Sequence, residues 1–208
     1  MSKPLPAFVF DFGGVLIDWD PRYLYRKLFN GDGDGIEEFF ARVGFFEWNI
    51  NQDRGYPFSE AVADLSSLHP EDEHLIRAYH LRYEESIQGP IGPTVSILRS
   101  LKQSGYPLYA LSNWSAEKFA LVRPRYEFFD WFDDILISGE VKLAKPDPRI
   151  FSLLLDKIGR AASECIYIDD SFENVEVSKQ MGFRPIHFKS AVQLERDLAK
   201  MGIVLQEG

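Results

Sequence analysis

The stretch FVFDFGGVLID, residues 8–18, contains the sequence signal that decides the fold. Its first three residues, Phe8–Phe10, form an apolar run typical of a strand buried in a parallel sheet. Asp11 follows at the end of this predicted strand, directly before two glycines. Ligands of open α/β sheets bind at the carboxyl ends of the strands, and glycines let the backbone pass close to a substrate. The stretch therefore predicts an Asp11 carboxylate that coordinates a metal or attacks an electrophile.

From Pro93 onwards, apolar runs of strand length alternate with helical patterns, which is typical of a parallel sheet covered by helices. The predicted core strands are Ala7–Asp11, Pro107–Ser112, Asp134–Ser138, Glu164–Asp169 and Arg184–His187. The predicted core helices are Pro93–Ser104, Ser115–Arg123, Pro148–Ile158, Glu173–Met181 and Val192–Met201. The expected fold class is α/β, with a doubly wound, Rossmann-like parallel sheet.

The interval 18–89 shows helical patterns and no convincing strand, so it is predicted to be a small α-helical domain inserted into the core. Its predicted helices are Arg22–Phe29, Ile36–Val43, Ser59–Leu65 and Glu71–Ile87. The sequence GPIGP at 89–93 interrupts any helix and predicts a hinge that returns the chain to the core. The predicted domains are thus a core of 1–17 and 90–208 and an insertion of 18–89. The insertion leaves the core next to Asp11, so we expect it to form a lid over the strand ends.

The composition is that of an ordinary globular protein. The 208 residues carry a formal net charge of −9 and show no basic cluster, so nucleic acid is not an expected partner. No apolar stretch is long enough to cross a bilayer, and the first residues lack the apolar run of a signal peptide. Cys165 is the single cysteine, so an intramolecular disulfide is impossible. These features favour the cytoplasm, and they leave the oligomeric state open.

Three further segments of the predicted core carry polar side chains suited to chemistry at the same edge of the sheet. Ser112 and Asn113 end the second predicted core strand and offer a hydroxyl and an amide. Lys145 lies just before a helix that begins with proline, near the positive end of that helix. Asp169 and Asp170 end the fourth predicted core strand. Adjacent carboxylates repel each other, and a hard divalent cation is the usual compensation.

In this order and setting, the four motifs resemble the haloacid dehalogenase superfamily, whose members carry an Asp nucleophile, a Ser or Thr, a Lys and an acidic pair on successive strand ends. The resemblance covers residues 7–18 and about 91–187. It implies that the helical interval 18–89 is the cap domain of this superfamily. Within the cap, the segment Asp-Arg-Gly at 53–55 is similar to the caps of small sugar-phosphate phosphatases.

The resemblance also implies roles for the residues at the strand ends. Asp11 would be the nucleophile, and Ser112 and Asn113 would hold the oxygens of the transferring phosphoryl group. Lys145 would balance the charge of those oxygens. The cofactor would be Mg²⁺, and its implied ligands are Asp11, the Gly13 carbonyl, Asp169 and Asp170.

One position departs from the pattern. Phosphatases of this superfamily usually carry a second Asp two residues after the nucleophile, as general acid and then base, and here Gly13 occupies that position. General acid–base catalysis typically contributes about 10²–10⁴-fold. Three interpretations are open: an acidic leaving group such as an anomeric hydroxyl, as in the glucose-1-phosphatase-like branch that also lacks this acid; a substitute donor; or a halide leaving group that needs no proton. The substitute would be a water or a cap residue, with Asp18, Asp20, His74 and His80 as candidates.

The predicted function is a Mg²⁺-dependent phosphatase that hydrolyses a small phosphorylated metabolite, such as a sugar phosphate, through an aspartyl-phosphate. One alternative is a metal-independent 2-haloacid dehalogenase. The Asp169–Asp170 pair argues against it, because a redundant charge pair would oppose the ionised nucleophile. The other alternative is a catalytically weak binding protein on the same fold, which an intact Asp11 and Lys145 argue against.

Overall fold

The computed structural model describes residues 5–205. Within that range the strands are β1 (Ala7–Phe10), β2 (Ile17–Trp19), β3 (Ile87–Pro90), β4 (Leu108–Ser112), β5 (Asp134–Ile137), β6 (Cys165–Asp169) and β7 (Arg184–His187). The α-helices are α1 (Arg22–Leu28), α2 (Gly33–Val43), α3 (Phe45–Asp53), α4 (Phe58–Leu68), α5 (Glu73–Leu81), α6 (Gly92–Gln103), α7 (Ala116–Val122), α8 (Ser138–Val141), α9 (Pro148–Ile158), α10 (Phe172–Gln180) and α11 (Ala191–Lys200). In the described part of the chain, no helix has both the length and the apolar character that a membrane span requires.

The central sheet has five parallel strands in the order β5-β4-β1-β6-β7. After β1 the chain builds β4 and β5 on one side, and it then crosses back to build β6 and β7 on the other. Strand order therefore reverses at β1, which creates a crevice at the carboxyl ends of β1 and its two neighbours. The predicted doubly wound α/β core is confirmed.

Strand β1 lies at the centre because both of its faces are apolar. Its four side chains are fully buried. Phe8 and Phe10 join one apolar cluster, whereas Ala7 and Val9 join a second cluster on the opposite face. Successive side chains of a strand point to opposite faces, so a run of four apolar residues supplies both layers of the core. Burying each phenylalanine contributes roughly 1.5–3 kcal/mol.

Helices α1–α5 form the helical insertion, which has an aromatic interior of its own. The Tyr25 ring lies 5.1 Å from the Phe39 ring and 5.0 Å from the Phe40 ring, measured between centroids. Phe45 stacks on Phe40 at 4.5 Å and meets Tyr79 at 4.9 Å. Contacts between rings of this kind stabilise the insertion beyond the apolar area that they bury.

The prediction that the interval 18–89 contains no strand is wrong. Strands β2 and β3 pair in antiparallel fashion and form a two-stranded ribbon through which the chain enters and leaves the helical insertion. The ribbon gives little signal because β2 has three residues and β3 contains Gly89 and Pro90, which are rare in strands.

Two helix predictions in the insertion also need correction. Helix α3 was not predicted, because buried polar residues, Asn49 and Gln52, interrupt its apolar pattern. The single helix predicted over Glu71–Ile87 is instead a short 3-10 turn, helix α5 and a second 3-10 turn at Tyr83–Ser86. No glycine or proline marks the end of α5 at Leu81, so the sequence pattern runs on through it.

Candidate active site

The crevice at β1 brings together the residues that the sequence analysis selected. Asp11 directly follows β1, Ser112 is the last residue of β4, and Asp169 is the last residue of β6. Because β4 and β6 are the two neighbours of β1, the three side chains lie at one edge of the sheet. Lys145 reaches the same point from the loop before α9, and Asp170 follows β6.

Lys145 is the cation at the centre of this edge. Its Nζ lies 2.9 Å from Asp11 Oδ2 and 2.7 Å from Asp169 Oδ2, and its side chain is almost completely buried. Burial alone would lower the pKa of Lys145, but the two carboxylates outweigh it, and the pKa lies above its usual value. The lysine is therefore charged, and it holds two buried carboxylates of different strands at one point.

Asn113 positions this lysine through the main chain. The backbone N–H of Lys145 donates to Asn113 Oδ1 at 2.8 Å, and Asn113 Nδ2 donates to the Lys145 carbonyl at 2.9 Å. The amide of Asn113 is thus committed to the Lys145 backbone rather than directed into the crevice. The Ser112 hydroxyl, in contrast, hydrogen-bonds to the Asp11 carboxylate.

The carboxylate of Asp169 is surrounded by hydrogen-bond donors. Besides Lys145, the Tyr167 hydroxyl, Asn174 Nδ2 and the Ser171 backbone N–H all donate to it. Burial would raise the pKa of Asp169, but Lys145 and these hydrogen bonds hold it below its usual value. Asp169 is therefore ionised; its Oδ2 orients the lysine, and its Oδ1 is occupied by Ser171 and Asn174.

Asp170 lies against the glycine turn that follows β1. A Cβ atom added to Gly14 would lie 2.2 Å from Asp170 Oδ2, and Gly14 has a φ of +69°. Both the close approach and the left-handed backbone therefore require glycine at this position. Desolvation, followed by the nearby charge of Asp169, raises the pKa of Asp170.

The acidic residues at this edge fit a hard divalent cation. Oxygen atoms of Asp11, Asp169 and Asp170 lie within 4.8 Å of one another, and Lys145 is the neighbouring cation that pairs with two of them. Burial raises the pKa of Asp11 to about 7 in spite of the opposing charge of Lys145. Carboxylate and carbonyl oxygens are the ligands that Mg²⁺ prefers, so an ion here would relieve the excess negative charge.

A small cavity lies between this edge and the helical insertion. Its volume is about 60 Å³. It is lined by Gly13, Ile17, Trp19, Asn49, Asp53, Tyr83, Asn113 and Trp114. Asp53 is the carboxylate of this lining, and it receives a hydrogen bond from the Ser115 backbone N–H. Burial raises the pKa of Asp53 to about 7.

The structure does not support the four cap residues that the sequence offered as a substitute acid. Within residues 5–205, none of the four belongs to the lining of this cavity. Asp18 accepts a hydrogen bond from the Tyr23 hydroxyl, and His80 contacts Lys118 instead. Asp53 was not among the candidate residues selected from the sequence, although the Asp-Arg-Gly segment at 53–55 contains it.

Comparison with known proteins agrees with this geometry. The family model of the haloacid dehalogenase-like hydrolases matches residues 5–182, so the chain belongs to this family. A sesquiterpene phosphatase of Aspergillus oryzae is 27% identical over 210 residues, which cover 97% of this chain and 98% of the relative. A D-ribitol-5-phosphate phosphatase of Bacteroides thetaiotaomicron is 26% identical over 212 residues, with 91% and 95% of the two chains covered.

A solved structure also matches the fold. It is a haloacid dehalogenase family enzyme of Bacteroides thetaiotaomicron in complex with magnesium and inorganic phosphate. It superposes with a TM-score of 0.70 at 24% identity, over 90% of this chain and 95% of the other. The likeness extends over both the central sheet and the inserted helices, because the aligned share of the chain exceeds the core alone.

Proposed function

We propose that this hydrolase is a Mg²⁺-dependent phosphatase that acts on a small phosphorylated metabolite through an aspartyl-phosphate on Asp11. The observation that carries the proposal is the placement of Asp11 at the switch point of the sheet, bound to Lys145 and beside Asp170. The sequence relatives support it, since both are phosphatases by name.

The proposed reaction begins at the Asp11 carboxylate. A carboxylate oxygen of Asp11 attacks phosphorus, the bond from phosphorus to the ester oxygen breaks, and its electron pair leaves with that oxygen. Two anions approach each other in this step, so positive charge and hydrogen-bond donors around the phosphoryl oxygens lower the barrier. Lys145 provides the charge and Ser112 provides a hydroxyl donor, while the Asn113 amide keeps Lys145 in place.

Asp11, Asp170 and the Gly13 carbonyl would hold the Mg²⁺ ion. Asp169 lies within reach, but its oxygens already accept hydrogen bonds from several donors, so we assign it to the orientation of Lys145. When bound, Mg²⁺ supplies positive charge that neutralises phosphoryl oxygens and keeps Asp11 ionised. Without it, Asp11 and Asp170 would repel both each other and the substrate.

We infer the organic part of the substrate from the residues that line the cavity. Three aromatic residues, Trp19, Tyr83 and Trp114, line the cavity together with Asn49. Aromatic rings beside an amide suit a sugar, whose C–H face packs on a ring while its hydroxyls form hydrogen bonds. We therefore propose a sugar phosphate. The same rings favour an apolar alcohol as a second candidate, because most of the wall is apolar.

A panel of phosphate esters, assayed with chelator and with added Mg²⁺, tests the proposal. The panel contains glucose 1-phosphate, ribitol 5-phosphate, farnesyl phosphate and p-nitrophenyl phosphate. We expect phosphate release that chelator abolishes and Mg²⁺ restores. The proposal is wrong if no ester releases phosphate, or if chelator leaves the activity undiminished. In the second case, release of halide from a 2-haloacid would identify a dehalogenase.

A further inference from the structure

The backbone at Gly13 borders open space. A Cβ atom added to Gly13 would have no neighbour within 4 Å, so the position has room for a larger side chain and none is present. Gly13 also lines the small cavity below the helical insertion. In a cavity of about 60 Å³, which holds one or two water molecules, opposite walls are close to each other.

Asp53 also lines this cavity. It is the last residue of α3 and thus comes from the insertion, whereas Gly13 and Asn113 come from the core. Gly13 and Asn113, which line the same cavity, lie next to the strand ends that carry Asp11 and Ser112, so Asp53 is near the reacting end of the site. Its carboxylate also interacts electrostatically with Asp11 and Lys145. The insertion therefore supplies an acid to the same cavity that Gly13 leaves open.

The side chain of Asp53 is held by groups from both parts of the molecule. Asn49 Nδ2 lies 3.4 Å from Asp53 Oδ2, and Asn49 Oδ1 accepts a hydrogen bond from the Tyr79 hydroxyl at 3.0 Å. From the core, the Ser115 backbone N–H donates to Asp53. The turn after Asp53 also packs tightly, because a Cβ atom on Gly55 would lie 2.9 Å from the Gly139 carbonyl oxygen. Docking of the insertion on the core therefore fixes the direction of the carboxyl group.

We propose that Asp53 donates the proton to the leaving ester oxygen and later accepts a proton from the attacking water, in place of the acid that Gly13 lacks. This inference rests on the proposed phosphatase function. The environment supports the role, since burial and the charge of Asp11 raise the pKa of Asp53 and favour its protonated form before the first step.

The proton balance over the two steps is complete. In the first step the electron pair of the broken bond goes to the ester oxygen, which takes the Asp53 proton, so alcohol, aspartyl-phosphate and the Asp53 carboxylate result. In the second step water enters where the alcohol left and attacks phosphorus, while its proton passes to Asp53. The bond from phosphorus to Asp11 breaks with its electron pair on Asp11. Inorganic phosphate leaves, and both side chains return to their starting states.

The Asp53→Asn variant tests the proposal on two leaving groups. An alkyl phosphate needs a proton on its departing oxygen, whereas p-nitrophenolate leaves readily as an anion. We expect kcat/KM for the alkyl ester to fall by about 10²–10⁴-fold. The value for p-nitrophenyl phosphate should fall much less, and that retained activity also shows that the variant is folded. Asp64→Asn is the matched control, because Asp64 is a carboxylate of α4 that bonds to the Tyr56 hydroxyl outside the cavity.

Restoring an acid at position 13 provides the rescue experiment. The open space at Gly13 accommodates an aspartate. The double variant Gly13→Asp with Asp53→Asn should therefore show a kcat/KM for the alkyl ester at least about tenfold above that of Asp53→Asn alone. Gly13→Asn in the same background is the control of equal size, and it should restore nothing.

The wild-type enzyme supplies a measurement that needs no variant. With Asp53 as the acid, log kcat/KM should depend only weakly on the pKa of the leaving group across aryl and alkyl esters. A steep dependence, or an equal loss on both esters in Asp53→Asn, would overturn the inference and leave the phosphatase proposal intact. Absence of any Mg²⁺-dependent ester hydrolysis by the wild type would instead reject the phosphatase proposal, and the role of Asp53 with it.

Discussion

The charge balance around Asp11 depends on one residue, Lys145, which pairs with Asp11 and Asp169 at 2.9 and 2.7 Å. Asp11→Asn removes the nucleophilic charge and keeps the shape of the side chain, and Lys145 keeps its partner Asp169. We therefore expect a folded protein whose kcat/KM falls by more than about 10³-fold. Steady-state kinetics and a thermal melt check both parts. Activity above a tenth of wild type, with deamidation excluded by mass spectrometry, would contradict the role of Asp11.

Two features require glycine at position 14, the close approach of Asp170 and the left-handed backbone conformation. In Gly14→Ala the new Cβ would lie 2.2 Å from Asp170 Oδ2, and the residue would keep a left-handed φ of +69°. We expect a loss of roughly 1–2 kcal/mol of stability from the backbone conformation. Displacement of Asp170 should also raise the Mg²⁺ concentration for half-maximal activity by about tenfold or more.

Gly105→Ala separates the two effects of Gly14→Ala. Gly105 also has a left-handed φ, +76°, but a Cβ there meets nothing within 4 Å. This variant should lose similar stability and keep the wild-type Mg²⁺ requirement, as measured by titration of activity with the metal. An equal Mg²⁺ requirement in Gly14→Ala and Gly105→Ala would show that Asp170 is not a metal ligand.

Helices α5 and α7 meet at an unusual contact between two basic side chains. Lys118 is buried, and its Nζ lies 2.9 Å from His80 Nδ1 and 2.8 Å from the His80 carbonyl oxygen. The Phe58 ring stacks on His80, and Glu117 is the acidic group that acts on both. Burial and the Lys118 charge lower the pKa of His80 below 6.5, its ordinary value.

Mild acid should therefore weaken the contribution of His80 to the stability of the fold. The unfolded chain takes up a proton at His80 before the folded chain does, so the contribution of His80 is fully present above about pH 6.5 and is lost as the pH falls below that value. Asp11 and Asp53, whose raised pKa values add stability in acid, are common to the wild type and His80→Gln. The difference in Tm between the two proteins should therefore shift against the wild type as the pH falls from about 8 to about 5. His74→Gln, which removes an exposed imidazole from the same helix, should keep the wild-type profile. Identical profiles for His80→Gln and the wild type would refute the prediction.

Elements with a one-sided or continuous apolar pattern were predictable, whereas the helix with a polar buried face was not. Strand β6 begins one residue later than predicted, because its continuous apolar run defines it. Strand β7 has the predicted bounds, although Ile186 is its one buried residue. Helix α3 buries Asn49 and Gln52, so its periodicity is weak, and Asp53 at its end was not selected as an acid. The strand-end residues were predictable because their positions follow from the sheet alone.

In the whole molecule, the helical insertion packs against the core. Docking is fixed by the Phe58 backbone N–H, which donates to Glu117 at 3.0 Å, by the Lys118–His80 contact and by the Asp53–Ser115 hydrogen bond. The cavity of about 60 Å³ between the insertion and the core has room for one or two water molecules, which is less than a sugar or an isoprenoid needs. We therefore expect the insertion to move away from the core when substrate enters, with the β2–β3 ribbon as the connection between the two.

This motion should be visible by hydrogen exchange. Each opening breaks the bond between the Phe58 amide and Glu117, so this amide should exchange faster than the amides of β6, which lie inside the central sheet. Mg²⁺ with aluminium fluoride, a mimic of the transferring phosphoryl group, should hold the insertion closed because Asp11 and Asp53 then face the same ligand from opposite sides. Exchange at Phe58 should therefore slow by at least several-fold, with no change in β6. In Glu117→Gln the Phe58 amide loses its charged acceptor and should exchange faster in the free protein. Unchanged exchange at Phe58 on adding the mimic, or equal slowing throughout β6, would show that the insertion does not open as a unit on the path to the active site.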